Sequence, residues 1–182
     1  MTPDVWLLLT AAVVLLLVAW VAWTLTRLGR LEARVERAWT ALDTQLQRRA
    51  ALAEELCRDH AAVVGEERAA RLAAAVREVR APLTGDRELA ENALGRELRE
   101  LPADLLGLPA ALRADLEGTA TRIGLARRFY NDAVRDTTAL RSRRLPSLLR
   151  LHASRPPPRF FDIEDGLREV TSSAAGGGRG RP

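Results

Sequence analysis

The amino-acid sequence predicts an all-α protein, in which an N-terminal transmembrane helix is followed by an elongated antiparallel, up-and-down helical bundle. Three observations lead to this prediction. Residues 5–26 form an unbroken uncharged stretch of mostly apolar residues. Beyond them, apolar residues recur at steps of three and four, which is the period of an amphipathic helix. Ala, Leu, Arg and Glu dominate this second part, whereas the β-branched runs typical of strands are missing.

The predicted membrane segment covers residues 5–26. A helix of this length reaches about 33 Å, enough to cross a hydrocarbon layer of about 30 Å. A cleaved signal peptide is the main alternative, but it would have a basic N-terminal flank and a shorter apolar run. Here the flank offers only Asp4 as a charged side chain. We therefore expect a retained anchor, and a domain exported after signal cleavage stays as the alternative.

The charges on either side of this segment predict its orientation. No Lys or Arg precedes it, whereas four arginines follow it closely: Arg27, Arg30, Arg34 and Arg37. The positive-inside rule places the arginine-rich side in the cytoplasm. We therefore expect a single-pass protein of the cell membrane with residues 1–4 outside, a cytoplasmic helical domain over 27–168 and a disordered Gly- and Arg-rich tail over 169–182.

The first long amphipathic helix follows the membrane segment without a break. Gly65 is a candidate bend, and Pro82 and Gly85 are expected to end the helix. Its apolar stripe consists of Leu28, Leu31, Val35, Trp39, Leu42, Leu46, Leu52, Leu56, Val64, Leu72, Val76 and Val79.

Two further helices are predicted. The shorter one covers 86–100, with Leu89, Ala93, Leu94 and Leu98 facing inward. The longer one begins near Pro109, stops before Pro146 and carries a stripe of Leu112, Leu116, Thr119, Ile123, Ala126, Tyr130, Ala133, Thr137 and Leu140. After a stiff proline-rich spacer, an apolar cluster is expected to dock on the bundle: Phe160, Phe161 and Ile163.

Each apolar stripe must be covered by another, and an antiparallel bundle is the simplest way to do so. In that arrangement the last helix returns toward the membrane. Residues 141–159 contain no acid, so contact with anionic lipid headgroups is one interpretation and a solvated helix end is the other. The arginines expected at the lipid surface are Arg27, Arg30, Arg141, Arg143 and Arg144.

Three stretches resemble the LemA family of bacterial membrane-anchored helical proteins. The first is Arg34-Val-Glu-Arg-Ala-Trp-Thr-Ala-Leu-Asp-Thr-Gln-Leu-Gln-Arg-Arg49, the second is Ala90-Glu-Asn-Ala-Leu94, and the third contains Ala126-Arg-Arg-Phe-Tyr-Asn-Asp132. After the first, relatives have an apolar-Pro-Asn-Leu run where this chain reads Ala51-Leu-Ala-Glu-Glu-Leu56, so the chain is similar to a divergent member. The resemblance implies a helical bundle behind one membrane span and no enzymatic activity.

The residues that carry the resemblance are candidates for a polar cluster between the two long helices. We expect Asp43 or Gln45 to contact Arg127, Asn131 or Asp132, with Tyr130 packed on Trp39 or Leu42. A network that fixes helix register is the favoured interpretation, and a groove for a partner is the alternative. The candidate residues are Trp39, Asp43, Gln45, Arg48, Arg49, Arg127, Arg128, Phe129, Tyr130, Asn131 and Asp132.

Few residue patterns in the sequence suit catalysis or metal binding. Cys57 and His60 share a helix face without a third orienting group, so core packing is the favoured role for Cys57. No Cys/His spacing suits zinc, and we expect neither metal nor cofactor. The net charge of +4 comes from interspersed signs, which disfavours nucleic-acid binding.

The sequence therefore favours a non-enzymatic scaffold or adaptor that binds the lipid bilayer and a protein partner at the membrane. Self-association into a homo-oligomer stays open. The alternative function is an accessory or weakly hydrolytic enzyme with a shallow site on the bundle, which would require converging titratable groups in a concave pocket.

Overall fold

The structure is a computed structural model that describes residues 3–81, 86–101, 107–142 and 158–163. Helix accounts for 88% of these residues and none of them lies in a strand, so the all-α prediction is confirmed for this part of the chain. The helices are α1 (Pro3–Asp59), α2 (Ala61–Val64), α3 (Glu66–Arg80), α4 (Arg87–Arg99) and α5 (Ala110–Arg141).

Helix α1 runs from the apolar segment into the charged part of the chain without interruption, as predicted. Every residue from 4 to 19 is exposed, including Leu7 at 72% and Leu15 at 70%. Among the described residues, α1 is the one helix long and apolar enough to cross a membrane. A helix that exposes Leu and Val on all sides has no polar face, and this is typical of a segment surrounded by lipid.

The predicted bend at Gly65 is confirmed, and a second interruption precedes it. Helix α1 stops at Asp59, and His60 lies outside any helix between α1 and the single turn of α2. Gly65 then takes a φ of 93°, a left-handed conformation that favours glycine, and α3 begins at the next residue. Helix α3 ends at Arg80, shortly before Pro82; Pro82 and Gly85 themselves lie outside the described residues.

Helix α4 matches the predicted short helix, but its inward face differs in part from the predicted one. Asp86 caps it, since its carboxylate accepts a hydrogen bond from the Glu88 amide at 2.9 Å. Leu94 is fully buried as predicted, whereas the prediction for Leu89 is wrong, because this side chain is 66% exposed. Glu91 is buried in its place. The reason is a polar contact with α1 that the apolar pattern alone does not contain.

Helix α5 confirms most of the second long stripe. Leu112, Thr119, Ile123, Tyr130, Ala133, Thr137 and Leu140 are buried. The helix starts directly after Pro109 and ends at Arg141, before Pro146, which lies outside the described residues. Gly107, just ahead of the helix, has a φ of 115° that a residue with a side chain rarely adopts.

The chain divides into two compact units. The first unit contains residues 1–38 and 130–160, and the second contains residues 39–129 and 161–182. Of the predicted apolar cluster near the C-terminal end, Phe161 and Ile163 are buried, whereas Phe160 is exposed, contrary to prediction. The main apolar core belongs to the second unit and consists of Ala50, Leu52, Ala53, Leu56, Val64, Leu72, Ala75, Val76, Leu94, Leu108 and Leu112.

Candidate functional site

A buried ion pair joins α1 to α4 in the second unit. The Glu91 side chain is completely buried, and the Arg49 side chain retains 11% of its exposure. One guanidinium nitrogen of Arg49, Nη2, donates to Oε2 of Glu91 at 2.6 Å and to the Glu91 backbone oxygen at 2.9 Å. Two opposite charges removed from water in this way are stable only together, because either one alone would be a buried unpaired charge.

A second arginine extends this pair into a network of alternating charges. Nε of Arg87 lies 3.8 Å from Oε1 of Glu91, and the same guanidinium donates a hydrogen bond to Asp43. Gln47 donates to the other oxygen of Asp43 at 2.6 Å. Two carboxylates and two guanidiniums therefore lie side by side, and their formal charges cancel.

Aromatic rings cover one side of the network. The Arg87 guanidinium lies over the Trp39 ring, 5.1 Å from its centroid, which is a cation–π arrangement. The Trp39 ring in turn meets Phe161 edge-on, with 5.4 Å between centroids and 74° between ring planes. Trp39 thus connects the ionic network to the segment that follows the proline-rich spacer.

Gly95 makes room for the Arg49 guanidinium. A Cβ atom placed on Gly95 would lie 3.3 Å from Nη1 of Arg49 and 3.4 Å from Nη1 of Arg99. Gly95 is buried in the interior of α4, where glycine is unfavourable by about 1 kcal/mol relative to alanine. Any side chain at this position would therefore have to move the Arg49 guanidinium by a few tenths of an ångström.

Gly95→Leu is expected to lower the free energy of unfolding by about 1–3 kcal/mol, because the new side chain must displace a guanidinium held by Glu91. The matched control is Gly118→Leu in α5, where a Cβ meets only Arg122 at 3.5 Å or more. That change should stabilise the helix by up to about 1 kcal/mol. Urea unfolding of the full chain in detergent micelles, followed by far-UV circular dichroism, compares the two; equal effects would show that Gly95 has no spatial role.

The sequence does indicate this network, through charged residues that lie on the inward faces of two amphipathic helices. Arg49 lies three residues from both Leu46 and Leu52, so it falls on the inward stripe of α1. Glu91 likewise lies three residues before Leu94, on the inward face of α4. Opposite charges on two inward faces point to a buried pair, because neither could be buried alone. Glu91 and Arg87 were nevertheless absent from the predicted site.

The other candidate residues of the second unit have separate partners. Asp43 and Arg127, one of the alternative pairings that were expected, do not pair: Asp43 binds Gln47 and Arg87, whereas Arg127 lies 3.2 Å from the Asp162 carboxylate. Arg48 pairs with Asp115 at 2.8 Å on the surface. Gln45 is half-buried, and Arg128 and Phe129 are exposed.

The remaining motif residues belong to the first unit. Tyr130 is buried, and its hydroxyl donates to the backbone oxygen of Arg159 at 2.8 Å. Asp132 is exposed and pairs with Arg135 at 2.6 Å, one turn along α5. Asn131 is half-buried. The Tyr130 contact ties α5 to the end of the proline-rich spacer.

The arginines expected at lipid headgroups have different surroundings. The predicted contact of Arg141 with lipid headgroups is wrong. Its side chain is only 8% exposed, and its guanidinium donates a hydrogen bond to the Glu32 carboxylate at 2.6 Å within the protein. Arg30 is exposed, and Arg27 lies over the Trp23 ring at 5.4 Å from its centroid. Arg143 and Arg144 lie outside the described residues.

Cys57 packs against the apolar core from the end of α1 and is half-buried. Burial raises the pKa of its thiol, and the negative charge of nearby Glu54 raises this pKa further. A raised pKa disfavours the thiolate, which is the reactive form. The environment of Cys57 is therefore that of a packed side chain and is unsuited to a nucleophile.

Alkylation of Cys57 should reflect this raised pKa. In the folded chain the inflection of the alkylation rate against pH is expected above the ordinary value of 9.0, and the urea-unfolded chain should inflect near that value. The neutral thiol is favoured by folding, so its stabilising effect is present below the unfolded pKa and is lost as pH rises through the folded one. Iodoacetamide labelling measured by mass spectrometry follows both states, and a folded-state inflection at or below 9.0 would contradict the assignment.

Among the described residues, no group of three or more His, Cys, Asp or Glu side chains is placed to hold a metal ion. Comparison with known protein families finds no matching family model, and comparison with curated proteins finds no match.

Proposed function

We propose that this chain is a single-pass protein of the bacterial cell membrane whose cytoplasmic helical domain acts as a non-enzymatic scaffold or adaptor. The observation that carries the proposal is the continuity of α1. One helix includes both the apolar segment, which is exposed throughout residues 4–19, and the residues Asp43 and Arg49, which bind α4. A continuous helix of this kind connects a lipid anchor to the residues that bind α4 without an intervening loop.

The proposed orientation places the N-terminus outside and the domain in the cytoplasm. It is supported by the arginines that follow the apolar segment and by the exposed side chain of Arg30. The contact of Arg27 with the Trp23 ring would place a basic group beside an interfacial aromatic residue at the end of the apolar segment. An uncleaved anchor is part of this proposal.

An antiparallel bundle is the arrangement we propose for the long helices. Within the first unit, Glu32 pairs with Arg141 and Arg34 pairs with Asp136 at 2.9 Å. The later residue of α1 therefore meets the earlier residue of α5, which is the order expected of antiparallel neighbours. This order supports the predicted up-and-down connectivity.

We further propose that the chain is a divergent member of the LemA family and that its family-like residues are mainly structural. Arg49 from the first family-like stretch pairs with Glu91 from the second. Trp39 and Asp43 from the first stretch both contact Arg87, which in turn lies beside Glu91. A network of this kind fixes the register of α4 on α1, and that role would explain these residue types without a ligand.

The proposed topology can be tested by labelling introduced cysteines in cells. In a Cys57→Ser background, Thr2→Cys should react with a membrane-impermeant maleimide in intact spheroplasts. Ala51→Cys, which replaces an exposed residue of α1, should react only after permeabilisation. The opposite pattern would contradict the orientation, and a mature chain that lacks residue 2 by mass spectrometry would establish signal cleavage instead.

A further inference from the structure

Helix α5 presents an exposed apolar pair in the second unit. Leu125 is 46% exposed and Phe129, one helical turn later, is 63% exposed. Residues four apart lie on the same helix face, so the two side chains form one apolar ridge. They differ from the exposed leucines of the membrane segment because they lie on a helix whose opposite face is packed, with Ile123 and Val134 buried.

Two arginines flank this ridge. Arg122 and Arg128 are exposed and lie on either side of Leu125 and Phe129 by helical geometry. Among the described residues neither has an ion-pair partner. The other arginines farther along α5 are engaged: Arg127 with Asp162, Arg135 with Asp132, and Arg141 with Glu32. Within the described part of the chain, Arg122 and Arg128 therefore place positive charge without an ion-pair partner beside the exposed apolar residues of this helix.

We propose that the α5 ridge, formed by Arg122, Leu125, Arg128 and Phe129, docks an acidic amphipathic helix from a different protein. The apolar ridge would pack against the apolar stripe of the partner, and the two arginines would pair with carboxylates that flank it. A second copy of this chain docked symmetrically by the same face would bring like charges together, which disfavours self-association. This inference rests on the proposed adaptor role and specifies the chemistry of the partner.

The test uses the full chain in lipid nanodiscs and fluorescently labelled synthetic helices. One peptide carries leucines at positions four apart with glutamates beside them, and its analogue carries lysines in place of the glutamates. Fluorescence anisotropy titrations should give at least tenfold tighter binding for the acidic peptide. Binding of either peptide to empty nanodiscs is measured in parallel and subtracted.

Variants then locate the binding face. Arg122→Glu with Arg128→Glu should reverse the peptide preference, so that the lysine analogue binds more tightly. Leu125→Ser with Phe129→Ser should weaken binding of the acidic peptide at least tenfold. The matched control is Leu89→Ser, which replaces an exposed leucine on α4 and should leave binding unchanged.

Several outcomes would overturn the proposal. Equal binding of the two peptides, no binding of the acidic peptide, or an equal loss with Leu89→Ser would each do so. Dimerisation that disappears with Phe129→Ser would assign the ridge to a second copy, and vesicle binding by the same face would assign it to lipid. None of these results alters the maleimide labelling pattern, so failure of this proposal is distinguishable from failure of the proposed membrane topology.

Discussion

Glu91→Ala is expected to lower the free energy of unfolding by about 3–5 kcal/mol. The substitution leaves the Arg49 guanidinium in a site that is nearly closed to water, without the carboxylate that it contacts at 2.6 Å. Arg87 retains its contact with Asp43, so the loss falls mainly on Arg49. The unfolding midpoint in urea should fall accordingly, measured on the full chain in detergent micelles by far-UV circular dichroism.

Two comparisons separate the buried charge from the general effect of truncation. Asp115→Ala breaks the exposed pair with Arg48 and should change stability by less than about 1 kcal/mol. Arg49→Met combined with Glu91→Leu removes both buried charges and should recover most of the lost stability, because an apolar pair of similar size needs no ionic partner. If Glu91→Ala and Asp115→Ala had equal effects, the network would have no special structural role.

Leu15→Arg combined with Leu16→Arg is expected to remove the protein from the membrane fraction. These residues lie at the centre of the apolar segment, where each arginine opposes insertion by about 2.5–3.5 kcal/mol. The surrounding leucines and valines favour insertion by only about 0.3–0.6 kcal/mol each. Two central arginines therefore offset most of what the segment gains from lipid. Carbonate extraction of membranes followed by immunoblotting measures the change.

The matched control places two arginines beyond the apolar segment on the same helix. Ala33 and Ala41 are exposed residues of α1, and replacing both with arginine adds the same charge without altering the apolar segment. This variant should stay in the membrane pellet. Loss of both variants from the pellet would indicate a general effect of charge on expression or folding, and retention of both would contradict an anchoring role for residues 5–26.

The order and type of the helices could be predicted because they depend on local patterns. Gly65 interrupts the amphipathic stripe as expected, since its left-handed φ requires a residue without a side chain. Asp86 caps α4 at the position where the sequence predicted a helix start. The break at His60 was not predicted, because no glycine or proline lies next to it in the sequence; His60 has a non-helical φ of −131°.

The polar contacts could be predicted only in part. Residues such as Asp43 and Arg49 were selected by family resemblance, but their partners on α4 were not. Leu89 and Glu91, two residues apart on α4, illustrate the difficulty. Apolar periodicity predicts that the leucine is buried, but the leucine is exposed and the glutamate is buried. The pairing of Glu91 with Arg49 decides this rotation of the helix, and apolar periodicity contains no information about it.

By itself, the sequence determined the helical class of the described residues, the helix of membrane-spanning length and the helix boundaries at Gly65 and Pro109, because these follow from backbone preferences and from the arrangement of apolar residues along one helix. Only the tertiary structure decided which charges are buried, which arginine reaches which carboxylate, and why Gly95 lies beneath a guanidinium. The physical reason is that a buried charge is stable only beside an opposite charge. That partner is distant in the sequence, and the two side chains come into contact only when the helices pack.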